Sequence, residues 1–324
     1  MRKFIVVMLL VMLAVCGLAP PAVAQTFPSQ PVRIIVTFPP GGATDVLSRA
    51  IGQKLSETFR QGVVIENRPG GAGNIGMTAV ARATPDGHTL GVGTLSSLAI
   101  NPAASKNMAY DARKDFAPVS MMTEVHIVMA VPAAFPADNL TEFVEYAKKN
   151  PAKMNYSSNG PGSSGHMVGE LLKRKFGFEM AHVPQGGDSP ILNSLIGEHI
   201  QLGILAAPPT AEFVKAGKIK VIAATSAARS PVLPQTPTLS ELGVDIKAST
   251  WFGIVAPVAT PAAVVTLLNR EINRAMLAPE TKKIFNTGGL EPILMSVDEF
   301  KTFLLAEQDR WAGIVRTLGI SVEP

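Results

Sequence analysis

The sequence predicts an α/β protein made of two similar halves that face each other like a clamshell, and three observations carry that prediction. Short, β-branched apolar runs alternate with segments whose apolar residues recur at helical spacing, the order that builds a parallel sheet flanked by helices. Twice, a strand end passes through a glycine-rich turn straight into a helix start, at residues 38–45 (FPPGGATD) and again at 157–166 (SSNGPGSSGH). Two further extended runs, at 127–131 (IVMAV) and 250–256 (TWFGIVA), read as strands that take the chain across to the second half and back.

Residues 32–38 (VRIIVTF) open the first half as a buried strand, short, β-branched and bounded by prolines. Val46, Leu47, Ala50, Ile51 and Leu55 then recur at helical spacing, with Thr44 or Asp45 available as N-cap. The intervening prolines and glycines turn a strand's carboxyl end into a helix's amino end, where free N–H groups and the positive end of the dipole suit an anion such as a carboxylate. Residues 63–66 (VVIE) form a second strand. The loop after it carries a GxGxxG pattern at Gly71, Gly73 and Gly76 before a helical stretch at 75–83. A dinucleotide site needs that pattern in a tight first turn, with an acid about 20 residues on. Arg68 and Pro69 intervene here and residues 93–97 hold no acid, so the dinucleotide reading is set aside.

Residues 89–94 (TLGVGT) form a third strand ending in Thr94, Leu95, Ser96 and Ser97. Those hydroxyls either approach the same space as the 38–45 turn or cap the turn that follows. After the first crossing come a helix at 140–149 and a second α/β series: strands at 154–157, 180–183, 200–205 and 219–225, with helices at 164–175, 191–196 and 210–216. The second crossing leads to helices at 261–277 and 297–318. The expected division is one domain from 25–128 with 250–324, and a second from 129–249.

With 324 residues, 47% of them apolar, the chain can bury the cores of two ordinary domains. Arg2 and Lys3, an apolar run at 4–15 and Ala22-Val23-Ala24 before Gln25 read as a cleaved export signal. The apolar run is short of the roughly 20 residues that span a bilayer. A periplasmic mature chain is expected. Its only cysteine, Cys16, lies in the signal, which excludes disulfides and thiolate chemistry after cleavage. Without Arg2 and Lys3 the balance is 27 basic to 25 acidic residues, with no basic stripe of the kind nucleic acid requires.

His88, His126, His166, His182 and His199 show no metal-binding spacing, so neither metal nor cofactor is expected. Ser163, Ser164, His166 and Asp188 are hydrolase ingredients without a G-x-S-x-G elbow, and residues two apart on a helix do not face one another. The chain is therefore read as no enzyme. Trp251 and Phe252 are read as core of the returning strand.

The runs VRIIVTFPPGGATDVLSRAIGQKLSE, VVIENRPGGAGNIG, PDGHTLGVGT, YSSNGPGSSGHMVGELLK, ATSAARSPVLPQTPTLSELGV and WFGIVAPVATPAAVVTLLN, in this order and spacing, resemble the extracytoplasmic receptors of the tripartite tricarboxylate transporters, the Bug proteins. The resemblance runs from about Phe27 to the last helix. It implies a type II periplasmic binding fold, with two α/β domains, two hinge crossings and a ligand cleft. It also implies a small carboxylate ligand, membrane transporter subunits as partners, and a monomer.

Carried over by motif, the first wall is Phe38, Pro39, Gly41, Gly42, Ala43, Thr44 and Asp45, with Thr94, Leu95 and Ser96. The second is Ser157, Ser158, Gly162, Ser163, Ser164 and His166, with Pro184 and Gln185. Many members have Tyr-Lys where this chain has Gln185 and Gly186, and Asp-Asn where it has Leu205 and Ala206. With a lysine and a carboxylate both missing, an amino-acid ligand is not expected, and the expected ligand has few ionic groups on its distal side: a monocarboxylate, aromatic or otherwise apolar, against Leu205, Ala206 and Pro208. The alternatives are an exported α/β hydrolase or lyase, and a ligand-binding sensor.

Overall fold

The computed structural model describes residues 27–322. The export signal at 1–24, with Cys16 and the cleavage point before Gln25, lies outside the described residues. Strands β1 (Val32–Val36), β2 (Val63–Asn67), β3 (Thr89–Thr94) and β4 (Phe116–Val125) come first. Strands β5 (Ile127–Pro132), β6 (Asn155–Ser158), β7 (Ala181–Pro184), β8 (Leu202–Ala206) and β9 (Ile219–Ala224) follow, and β10 (Thr250–Pro257) returns to the first group. They form two five-stranded sheets, in the orders β2-β1-β3-β10-β4 and β7-β6-β8-β5-β9.

Each sheet is mixed, where the alternation of elements predicts a parallel one. In both, the fourth position is held by the strand that has just crossed over, β10 or β5, and that strand runs antiparallel to both neighbours. The reason lies in the connection. A parallel neighbour needs a helical crossover within its own sheet, whereas β5 follows β4 with only His126 between them and enters from the opposite half. The two crossings are laced together. Thr225 N–H donates to the Ile127 carbonyl at 2.8 Å, Ala248 N–H donates to the Thr225 carbonyl at 2.7 Å, and the His126 ring and Ser226 hydroxyl lie 2.8 Å apart.

Strand β4 is absent from the sequence reading. It carries Pro118 among methionines, a threonine and a glutamate, and so lacks both the β-branched run and the alternation that mark a strand. Its place at the sheet edge, with a register shift between Ile254 and Val255 where Pro118 pairs, is where a strand tolerates proline.

The helices are α1 (Ala43–Phe59), α2 (Asn74–Ala81), α3 (Asn101–Ala104, after a wide turn over Ser96–Ile100), α4 (Leu140–Lys149), α5 (Ser164–Phe176), α6 (Asp188–Ile196), α7 (Ala207–Lys215), α8 (Ala262–Leu277), α9 (Pro279–Thr287) and α10 (Val297–Leu318). Helices α6 and α7 each begin three residues earlier than their apolar spacing suggests. Pro190, Pro208 and Pro209 occupy their opening turns, where a missing N–H costs nothing. That earlier start puts Asp188 and the two prolines at the helix ends that face the cleft.

Successive residues of β1 serve opposite cores. Val32, Ile34 and Val36 pack with α1, α8 and α9, while Ile35 packs on the side of Met77, Val80 and α10. Helix α10 starts on a capping box, Ser296 with Glu299. It buries Phe300 edge-on to Trp251 of β10, and near its end the Thr317 carbonyl accepts from Arg174 of α5 at 2.9 Å. One continuous apolar cluster, including Phe143, Tyr156, Trp251 and Trp311, thus reaches from one sheet to the other.

Candidate ligand-binding cleft

A cavity of about 600 Å³ lies between the carboxyl ends of the two sheets. Its first wall is the turn from β1 into α1: Phe38, Pro39, Pro40, Gly41, Gly42, Ala43 and Thr44. Gly41 has φ +85°, in the left-handed region that suits glycine, and Gly42 is the extended N-cap residue of α1. The N–H groups of Gly42, Ala43 and Thr44 have no partner among the described residues, so they stand at the positive end of a 17-residue helix as ready donors.

Asp45, expected in this wall, faces away from the cavity. The residue is 3% exposed; Oδ2 accepts the Gly41 N–H at 2.9 Å and Oδ1 accepts from Asn67 Nδ2 at 2.9 Å. Burial works against its charge, but the bonds from Arg49, Gly41 and Asn67 together hold its carboxyl below the ordinary range. It braces the turn; it is not the N-cap, and it does not line the cavity.

Thr94 and Ser96 reach the cavity from the end of β3. Leu95 does not; it is fully buried in the core. Ser97 turns inward, its hydroxyl accepting the Thr94 N–H at 3.0 Å, so it caps the turn while its neighbours line the space. Ala72 of the glycine-rich loop also reaches the wall. The loop's last motif glycine, Gly76, is needed for packing: a Cβ there would lie 2.8 Å from the Thr37 methyl.

The opposite wall is the turn from β6 into α5, where Asn159, Ser163, Ser164 and Gly165 line the cavity. Ser163 is the N-cap, accepting from His166 N at 3.2 Å. Gly165 lets the helix press onto β8, since a Cβ there would meet the Ile204 carbonyl at 2.7 Å. The remaining residues carried over for this wall lie behind the surface. Ser157 donates to the Val183 carbonyl, and the Ser158 hydroxyl lies 2.8 Å from His182 Nε2. Gly162 N–H donates to His166 Nδ1 at 3.2 Å, and the His166 ring stacks on His182 at 4.4 Å. Burial lowers the pKa of both rings, that of His182 to about 4, so both are neutral at pH 7. Pro184 ends β7 without reaching the cavity, and Gln185 donates to Ser157 and Ser194.

Between these walls Ile204, Leu205, Ala206, Pro208 and Pro209 form an apolar floor, joined by Val125, Ile127, Thr250 and Phe252 of the crossing strands. Leu205 and Ala206 therefore lie where the departures from the family pattern place them. Phe252, read as core from sequence, faces the cavity, while Trp251 is buried and donates to Glu307 at 3.1 Å.

Several lining residues carry no wall signal in the sequence, and one of them is charged. Asp188, the first residue of α6, is the only ionisable side chain in the cavity lining among the described residues. Its Oδ1 accepts from Asn159 Nδ2 at 3.1 Å and from Ala206 N at 3.4 Å. Burial raises its carboxyl above the ordinary range, partly offset by those two bonds. The expected loss of a carboxylate from the distal wall is corrected: one is present, supplied from a different loop. The only signal in the sequence was the early start of α6 that Pro190 permits.

The sequence matches the Tripartite tricarboxylate transporter family receptor (TctC) over residues 47–320. It is 33% identical to Protein BugT of Bordetella pertussis over 97% of each chain. Among solved structures it is similar to an R. palustris protein with adipate, at 33% identity and TM-score 0.82, covering 91% of this chain and 99% of that one. It is also similar to the periplasmic binding protein BugD, at 29% identity and TM-score 0.81, covering 92% of this chain and 100% of that one.

Proposed function

This chain belongs to the tripartite tricarboxylate transporter receptor family, and on that premise we propose that it captures a small monocarboxylate in the cleft and delivers it to the membrane subunits of such a transporter. It is a solute-binding receptor and not an enzyme. One observation carries the ligand reading: two helix amino ends, those of α1 and α5, open from opposite sheets onto one cavity. Such ends bind anions through free N–H groups and the helix dipole, without needing an arginine. Each charge-assisted hydrogen bond contributes about 1.5–3 kcal/mol, so a few of them offset the cost of capture.

The division of labour follows from the lining. The turn holding Gly42, Ala43 and Thr44 grips the carboxylate, with Thr94 and Ser96 beside it. Ser163 and Ser164 close from the other side, and Phe252, Leu205 and Pro208 suit an aromatic or alkyl body. The R. palustris relative is solved with adipate, a dicarboxylate, which supports a small carboxylate as the ligand of this cleft. We assign residues 25–128 with 250–324 to one lobe and 129–249 to the other, closing about the crossings at His126 and between β9 and β10. No helix of the described residues is long and apolar enough to cross a membrane.

The test is to denature the purified protein and identify what is released by mass spectrometry, then to measure that compound's affinity by calorimetry. A released or tightly bound monocarboxylate is the expected result. A protein that binds citrate and other polycarboxylates but no monocarboxylate would overturn the ligand assignment, and turnover of the compound would overturn the receptor reading.

A further inference from the structure

We propose that Asp188 makes this receptor selective for carboxylates that also carry a protonated amine, the ammonium being bound against the Asp188 carboxylate. The inference rests on the reading of the cleft as a carboxylate site, narrows its ligand class, and reverses the expectation against an amino-acid ligand, because Asp188 supplies the carboxylate that expectation took to be missing.

Three observations lead to it. Asp188 lines the cavity, and no lysine, arginine or histidine lines it among the described residues. Oδ1 is used by Asn159 and Ala206, whereas Oδ2 has no hydrogen-bond partner among the described residues. That oxygen is not sealed in the core either, since it is absent from the buried unpaired atoms. It is an acceptor held toward the cavity on a fixed arm. Asn159 anchors it from the β6–α5 turn and the Ala206 N–H from the end of β8, so the carboxylate is oriented by two neighbouring elements before any ligand arrives.

The electrostatics favour the same ligand. Burial disfavours the charged form of Asp188, and no neighbouring cation relieves it. A ligand that brings only a carboxylate into this space adds a second anion, and the two repel. A ligand with an ammonium supplies the missing counter-charge and three donors, one of which fits Oδ2. Asp188 does not cap its own helix, whose N-cap is Gly187 with no side-chain cap, and its structural bonds to Asn159 and Ala206 use Oδ1 alone.

The experiment compares matched probes by calorimetry at pH 7. The ω-amino acids from β-alanine to ε-aminocaproate are each set against the alkanoate with a methyl in place of the ammonium and the dicarboxylate with a carboxylate there. The pair meta-aminomethylbenzoate and meta-ethylbenzoate extends the series to aromatics. The best amino-carboxylate is expected to bind at least tenfold tighter than its matched partners, and Asp188→Asn is expected to erase or invert that preference. The wild-type comparison stands even if the variant folds poorly.

An alkanoate or ethylbenzoate that binds as tightly as its amino partner, with Asp188→Asn neutral, overturns the proposal while leaving the carboxylate site intact. A dicarboxylate that binds tightest with uptake of a proton also overturns it, since Asp188 then serves as a protonated acid. If no member of any series binds and Gly42→Val leaves retention of the co-purified compound unchanged, the carboxylate site itself is overturned.

Discussion

The backbone N–H of Gly41 donates to Oδ2 of Asp45 at 2.9 Å, closing the turn that precedes α1 onto the first turn of the helix itself. An acid beside an anion site looks misplaced from sequence. Here it is spent on the scaffold: Gly41, Asn67 and Arg49 use both of its oxygens. What remains for a ligand is the next set of N–H groups, held in place by this brace.

Asp45→Ala is therefore expected to cost about 1–3 kcal/mol of stability, because it leaves the Gly41 N–H without its acceptor and removes one of the two acceptors of the Asn67 amide, whose other bond is to the Phe38 carbonyl. Ligand affinity should fall with it, as the turn loses its fixed geometry. Urea denaturation and calorimetry on the same variant read both effects. A variant with wild-type affinity would show that the turn keeps its shape without the brace.

Gly42→Val is expected to abolish binding with the fold intact. Gly42 has ordinary extended angles, φ −76° and ψ 168°, and the nearest atom to an added Cβ is the Pro39 carbonyl at 3.7 Å. The side chain therefore fits while screening the free N–H groups. Gly41→Val differs: its φ of +85° costs a β-branched residue roughly 1–2 kcal/mol in backbone strain, so lost binding there would mix two causes. Circular dichroism with calorimetry separates the pair, and tight binding by Gly42→Val would move the site elsewhere.

Asp188→Asn should raise the melting temperature of the ligand-free protein at pH 7. The sign follows from linkage: a carboxyl whose folded pKa is raised destabilises the fold wherever the unfolded chain has it ionised, that is, above about pH 4. Asparagine keeps an oxygen for the Ala206 N–H and removes the charge. The same variant is expected to bind amino-carboxylates less well, a trade of function for stability. A melting temperature that falls would identify Asp188 as a structural anchor instead.

The stacked His166–His182 pair predicts acid sensitivity. Both rings are kept neutral in the fold, His182 down to a pKa of about 4, while an unfolded histidine titrates near 6.5. The unfolded state thus binds more protons between those values, and stability declines as pH falls from about 6.5 to about 4, by on the order of 2 kcal/mol. His182→Gln should flatten that part of the profile in thermal melts across this range. An unchanged slope would place the acid sensitivity elsewhere.

Much of the site could be read in the residue order because its first wall is local. A strand end, two prolines, two glycines and a helix start in consecutive positions specify Phe38–Thr44 without long-range information, and the same holds for Ser163 and Ser164. Residues carried over by motif alone fared less evenly. Leu95 and His166 follow or precede cavity-lining positions in the chain and Ser157 lies two before one, yet Leu95 is buried in the core, Ser157 bonds back to Val183 and His166 stacks on His182, because side-chain direction depends on what packs behind each position.

The sequence by itself determined the two-half α/β plan, the two crossings and the two glycine-rich helix starts, since periodicity and turn chemistry are properties of neighbouring residues. Only the tertiary structure decided the rest: the antiparallel crossing strands, the proline-bearing edge strand β4, the inward use of Asp45 and the outward use of Asp188. Each depends on which segments meet across a sheet or a cleft. A carboxylate becomes a brace or a binding group according to the donors that those meetings bring to it.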